Sequence, residues 1–129
     1  MIHAPKAKRS PQSGEAVVVH LEGEFDLSER DRLSDAFATL GDVPVVIVDF
    51  EKATYIDSVV LECLVALHAA IEKRSGRMVL LGIGGSIMRM LEVTSLDRIF
   101  EMHESLDDLR MDATQLRTLT IEARTLTAD

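Results

Sequence analysis

Two rhythms of apolar and polar positions organise this chain. Val45 to Val48 is an unbroken β-branched run ended by Asp49. Such residues suit the pleat, and a strand hidden on both faces cannot alternate with polar residues, so the run predicts a strand covered on both sides. From Val60 the apolar residues fall at Val60, Cys63, Leu64, Leu67, Ala70 and Ile71, the spacing that lines one face of a helix. Lys73, Arg74 and Gly76 close that helix, with cations in the last turn and glycine beyond. Between strand and helix, Tyr55-Ile56-Asp57-Ser58 brings a carboxylate and a hydroxyl to the helix N-terminus.

The same reading extends outward. Ala16 to Leu21 is a β-rich run, and Gly23 among Glu22, Glu24, Phe25 and Asp26 predicts that the strand bends or ends there. Ser28 is a good N-cap for a helix over 29–40, whose Leu33, Ala36, Phe37 and Leu40 share a face before Gly41 and Pro44 stop it. Met78 to Leu81 predicts a second buried strand, followed by Gly82-Ile83-Gly84-Gly85 and a helix over 86–93 that Thr94-Ser95 breaks. Ile99 to Met102 suits a short edge strand. Residues 105–110 suit a short helix capped by Ser105 with Asp108 at its third position. Residues 1–14 read as an extended arm, with a strand near Ile2 left open, and 113–129 as a Thr-rich tail or short helix on the weak stripe of Leu116, Leu119 and Ala123. That leaves 15–112 as one domain. Strands alternating with one-faced helices predict an α/β sandwich, and right-handed crossovers make much of its sheet parallel.

Composition narrows the function. A chain of 129 residues with 47% hydrophobic and 28% charged residues is long enough for one full core. Its net charge of −8 opposes attraction to phosphate backbones and anionic lipid, and 4% aromatics leave little for base stacking. Neither nucleic acid nor a membrane is an expected partner. The basic N-terminal residues precede no apolar core or cleavage pattern, which predicts a cytoplasmic protein. One cysteine, Cys63, lies on an apolar helix face and reads as a buried, inert thiol; His3, His20, His68 and His103 are dispersed, so no metal or other cofactor is expected.

Asp57 and Ser58 admit two readings. Either residue can cap the helix, although Val60 and Leu61 stand where a capping box needs Glu or Gln. Alternatively, Ser58 is a phosphate acceptor, its added charge of roughly −1.5 to −2 favoured by the helix dipole. The Gly82–Gly85 turn has Ile87 where a dinucleotide fingerprint needs glycine and lacks Gly-Lys-Ser or Gly-Lys-Thr, so it reads as a plain turn, with a small nucleotide-binding domain as the alternative. No GxSxG elbow surrounds Ser58, and Asp26 with Asp57 makes a carboxylate pair without pocket aromatics or metal ligands, so an enzyme is not expected.

Gly23-Glu24-Phe25-Asp26 after a first strand, then VVIVDF, then Tyr55-Ile56-Asp57-Ser58 with Leu61, then the Gly76 turn and MVLLGI, resembles the STAS family and, within it, the anti-sigma factor antagonists. The likeness spans about Ala16 to Arg110. It implies a STAS-like sandwich with a mixed sheet of about four to five strands and helices packed mainly on one face. It further implies a docking edge of Asp26, Asp57, Ser58, Val59, Val60 and Leu61 for an anti-sigma factor of serine-kinase type, with Ser58 the residue phosphorylated and a serine phosphatase to reset it. Val59 and Val60 depart from the small residue and glycine that the family keeps after the acceptor. Family members that do not switch exist, so a constitutive partner module of a signalling complex or transporter is the alternative within the fold.

Overall fold

The computed structural model describes residues 14–109 and 115–124. Their elements are β1 (Glu15–Phe25), α1 (Arg30–Ala38), β2 (Val45–Asp49), β3 (Ala53–Ile56), α2 (Ser58–Lys73), β4 (Arg77–Leu81), α3 (Gly85–Val93), β5 (Glu101–His103) and β6 (Gln115–Glu122), with single 3-10 turns at Leu27–Glu29, Leu96–Arg98 and Leu106–Asp108. The six strands form one sheet in the order β3-β1-β2-β4-β5, with β6 beside β1. Every strand pairing among the described residues is parallel, so the antiparallel member implied by a mixed sheet is not among them. Of the arm expected over 1–14, residues 1–13, including any strand near Ile2, lie outside the described residues.

β1 carries the sheet. Its residues Ala16–His20 pair with β2 along one edge, Glu24–Phe25 pair with β3 further along that edge, and Glu15–Glu22 pair with β6 on the other. Of the two outcomes expected at Gly23, a bend or an end, the strand takes the bend. Gly23 sits at a register shift with φ +103°, and an added Cβ would lie 3.2 Å from the Cβ of Ala123. Glycine relieves both demands, so the strand bends and continues to Phe25.

The β-branched run at 45–48 is covered on both faces as read. Val46 and Val48 join Val17, Val19, Leu21, Met78 and Leu80 on the face that all three helices cover, while Val45 and Ile47 join Ala16, Val18, Val79 and Leu81 on the other. On α2, Val60, Leu61, Leu64, Leu67 and Ile71 are buried. The helix ends where predicted, because Gly76 turns back so closely that a Cβ there would stand 2.7 Å from the Pro44 carbonyl oxygen.

The tail is a correction. Gln115–Glu122 is a strand, not a helix or frayed end, and it lies in register with β1 from Glu15↔Gln115 to Glu22↔Glu122. Leu119, Ile121 and Ala123 pack toward the helix-covered core at a period of two, and this alternation overrides the weaker helical stripe. The expected helix at 105–110 is only the 3-10 turn Leu106–Asp108, although Asp108 does accept from the Ser105 N–H at 3.2 Å. The edge strand expected over 99–102 is β5, shifted to Glu101–His103.

On β5, Glu101 receives two hydrogen bonds from the Arg77 guanidinium and a third contact from His103 Nε2 at 2.9 Å. The Arg77 bonds, with help from His103 and against partial burial, hold the Glu101 carboxyl down at about 2. A depressed acid stabilises the fold above its ordinary value of 4.5, and that contribution is lost as pH falls through about 2. Because the pair is about a third exposed, it is worth at most about 1 kcal/mol. Arg77→Met should therefore return the Glu101 titration, followed by carboxyl NMR, toward its ordinary range; an unmoved titration would contradict the pairing.

Candidate functional site

The last paired residues of β1 and β3 are Phe25 and Ile56. Asp26 and Asp57 follow them, so parallel pairing brings two carboxylates that are 31 positions apart in the chain to neighbouring strand ends. The Asp57 N–H donates to the Phe25 carbonyl at 3.2 Å and stitches the two exits together.

Asp57 has extended backbone, and its Oδ1 accepts from the Val59 N–H at 3.0 Å and the Val60 N–H at 3.4 Å. It is the N-cap of α2. Ser58 is the first helical residue and is exposed, and no described residue hydrogen-bonds its hydroxyl. The ambiguity between the two residues thus resolves for capping: the carboxylate satisfies the open N–H groups and leaves the hydroxyl unused. Asp57→Ala should cost about 0.5–2 kcal/mol in urea unfolding, whereas Ser58→Ala should stay within about 0.5 kcal/mol. The reverse order would reassign the cap.

Asp26 caps its own turn. Its Oδ1 accepts from the Ser28 hydroxyl at 2.6 Å and the Ser28 N–H at 2.9 Å, and these bonds, the hydroxyl first, lower the Asp26 carboxyl below its ordinary value. Ser28 is therefore not the N-cap of the following helix. Glu29 holds that position, with no side-chain cap, because Ser28 is turned toward Asp26.

Glu29 is the residue that sequence reasoning missed. It is 2% exposed, accepts from Arg32 Nη1 at 2.9 Å, and accepts from the Arg124 N–H at 2.7 Å. Arg32 also donates to the Glu122 carbonyl. These bonds fasten the turn after Asp26 to the end of β6, and the 95 positions between Glu29 and Arg124 hid the partnership from any local pattern.

The expected docking edge divides on inspection. Asp26 and Ser58 are exposed, and Asp57 and Val59 are half-buried. Val60 is a correction, since its side chain is fully buried in the core and presents nothing to a partner. Leu61 is 3% exposed and forms part of a wall. That wall belongs to an open groove of about 380 Å³ between α2 and the turn after α3, lined by Ser58, Leu61, Glu62, Val65, Ala66, Thr94 and Leu96. Ser58 and Thr94 supply its hydroxyls and Glu62 its one charge. Leu27 beside Asp26 and Tyr55 just before the site are also large and exposed, at 59% and 47%.

Chemistry of other kinds finds less support. The cavity beside Gly82 and Ile83 has Glu51 and Glu104 on its walls, which repel a nucleotide phosphate. His20 Nδ1 pairs with Asp49 Oδ2 at 2.8 Å on the far sheet face, away from Ser58. No group of metal-ligand residues occurs among the described residues, and none of their helices is long and apolar enough to cross a membrane. Cys63 is half-buried rather than buried, and its thiol is raised above the ordinary value mainly by desolvation.

A parallel sheet delivers two carboxylates, and a helix-opening hydroxyl with no hydrogen-bond partner among the described residues, to the rim of an apolar groove in an α/β domain. The chain belongs to the STAS domain family, whose model matches residues 7–109. Among curated protein sequences none matches. Among solved structures the chain is similar to the anti-sigma factor antagonist SpoIIAA in its unphosphorylated form, at 21% identity over 74% of this chain and 84% of that one, with a TM-score of 0.60. The phosphorylated form of the Bacillus protein gives 22%, 74%, 86% and 0.60. An anti-sigma factor antagonist from Mycobacterium paratuberculosis is 26% identical over 67% of this chain and 75% of its own, with a TM-score of 0.61. A sulfate transporter family protein from Wolinella succinogenes is similar as well, at 18% identity, coverages of 71% and 79%, and a TM-score of 0.63.

Proposed function

We propose that this chain is a cytoplasmic anti-sigma factor antagonist without catalytic activity of its own. It binds an anti-sigma factor of serine-kinase type through Asp26, Asp57, Ser58 and the exposed side of the first turns of α2, and so frees a sigma factor. The kinase transfers a phosphoryl group from ATP to Ser58 Oγ as the hydroxyl proton leaves, and a serine phosphatase hydrolyses the ester to restore the binding form.

One observation carries this reading. Asp57 makes the capping bonds, so the Ser58 hydroxyl stands exposed, with no hydrogen-bond partner among the described residues, on the rim of an apolar groove. A phosphate placed there reaches solvent and the helix N-terminus without breaking any bond of the fold. The similarity to anti-sigma factor antagonists, one of them solved in a phosphorylated form, supports the assignment.

Val59 supports a second reading. A half-buried β-branched side chain stands directly after Ser58, where the family keeps a small residue, and this stiffens the approach to the hydroxyl. A constitutive module of a signalling complex or transporter needs no such approach. Affinity capture of the endogenous protein with intact-mass analysis separates the two. The switching reading expects a serine kinase in the capture and a fraction of the chain heavier by one phosphoryl group. A transporter subunit with Ser58 unmodified would replace it with the constitutive reading.

A further inference from the structure

Among the described residues β6 is an edge strand, with unusually little to prevent another strand from joining it. It is eight residues long and in unbroken register with β1, and it contains no proline, lysine or bulge. Proteins ordinarily guard such edges with those devices. In a strand, alternate residues direct both N–H and C=O to the same side. The Ala123 N–H donates to the Glu22 carbonyl at 2.8 Å, so odd-numbered residues turn their backbone groups toward β1. Leu116, Thr118, Thr120 and Glu122 therefore turn theirs outward. All four are exposed; the Glu122 carbonyl accepts from Arg32, and no described residue takes up the other outward groups.

We infer that a second copy of this chain pairs with that edge, antiparallel, to make a continuous sheet across a two-fold axis. Two features of the strand favour a copy of itself. Electrostatically, residues 115–124 hold Arg117 and Arg124 against Glu122, a net +1 within a chain of −8. This is the strip along which two acidic molecules meet with least repulsion. Geometrically, a two-fold axis normal to the sheet pairs residues of the same face, and placing it at Leu119 engages all four outward positions. Thr118 then exchanges both hydrogen bonds with the partner's Thr120, and the partner's Glu122, whose carbonyl is held by Arg32, gives its N–H to the Leu116 carbonyl. Thr118 and Thr120 would form two directly opposed Thr–Thr pairs on the face away from the helices, a favourable cross-strand combination. Leu119 would meet the partner's Leu119 on the helix-covered face.

The pairing predicts both an oligomeric state and a register. Sedimentation equilibrium of the full chain at micromolar concentrations should show a reversible dimer. Thr118→Lys with Thr120→Lys puts like charges opposite each other twice and should weaken association about tenfold or more, whereas Thr118→Lys with Thr120→Glu makes two opposite-charge pairs and should keep it. Both side chains are exposed, and thermal melting checks that the fold survives. If the two lysines unfold the chain, Thr120→Pro decides instead, since it removes an outward N–H while sparing the bonds to β1. A wild-type monomer throughout the range would overturn the inference. So would a dimer that neither the two lysines nor the proline weakens, or a folded Lys/Glu variant as weak as the Lys/Lys one.

Discussion

Leu64→Ala is expected to remove about 2–5 kcal/mol of stability, the cost of deleting a fully buried leucine side chain and leaving a cavity. Leu64 is 0% exposed and sits midway along α2, between Leu61 and Leu67 on the face that closes the larger core over the sheet. Close-packed neighbours relax only in part, so little of the lost contact is recovered. For a domain with about 5–15 kcal/mol in hand this is a large fraction, and the melting temperature should fall by on the order of 10 °C. Glu62→Ala, two residues away on the exposed side, should stay within about 0.5 kcal/mol. Urea unfolding of both variants makes the comparison. A Leu64→Ala loss no larger than that of Glu62→Ala would mean that α2 does not pack as described.

Leu64 was legible in the sequence because α2 satisfies its helical period over four turns and β2 is β-branched from Val45 to Val48. Where elements are short or exposed, the same reasoning lost its signal. β3 has four residues, of which Thr54 and Tyr55 are exposed. One buried residue at its end makes no pattern from which a strand could be read. Across β6 and the residue after it, Leu116, Leu119 and Ala123 fit a helix, while Leu119, Ile121 and Ala123 fit a strand. Pairing with β1 decides between them, and pairing is not a local property. Asp57 and Ser58 stood out by their place at a helix start and Asp26 by the family resemblance, and β1–β3 pairing brings the three together. Which of Asp57 and Ser58 caps the helix depends on side-chain reach at a single backbone turn, beyond what spacing shows. Val60 looked like docking surface only by its place in a motif; helical geometry turns it inward.

The second large effect concerns Ser58. Phosphorylation adds roughly −1.5 to −2 charges beside Asp57, at neighbouring strand ends with Asp26, and on the rim of a groove whose lining is otherwise mostly apolar. In the free protein the phosphate remains in water and gains about 0.3–1 kcal/mol from the helix N-terminus, so folding is little changed. In a complex the same charge is desolvated against a partner that already accommodates two carboxylates, and such like-charge contacts cost several kcal/mol. Affinity should therefore fall while the melting temperature holds. Ser58→Asp, with one charge, should weaken binding less than the phosphate does, and Ser58→Ala should bind as the wild type.

The most direct measurement is a calorimetric titration of the captured kinase partner with three forms of the chain: wild type, Ser58→Ala, and wild type phosphorylated at Ser58. The charge-switch account predicts equal affinities for the first two and a loss of about a hundredfold or more for the third. Equal affinities for all three would contradict it and leave Ser58 as an ordinary exposed residue at the start of α2.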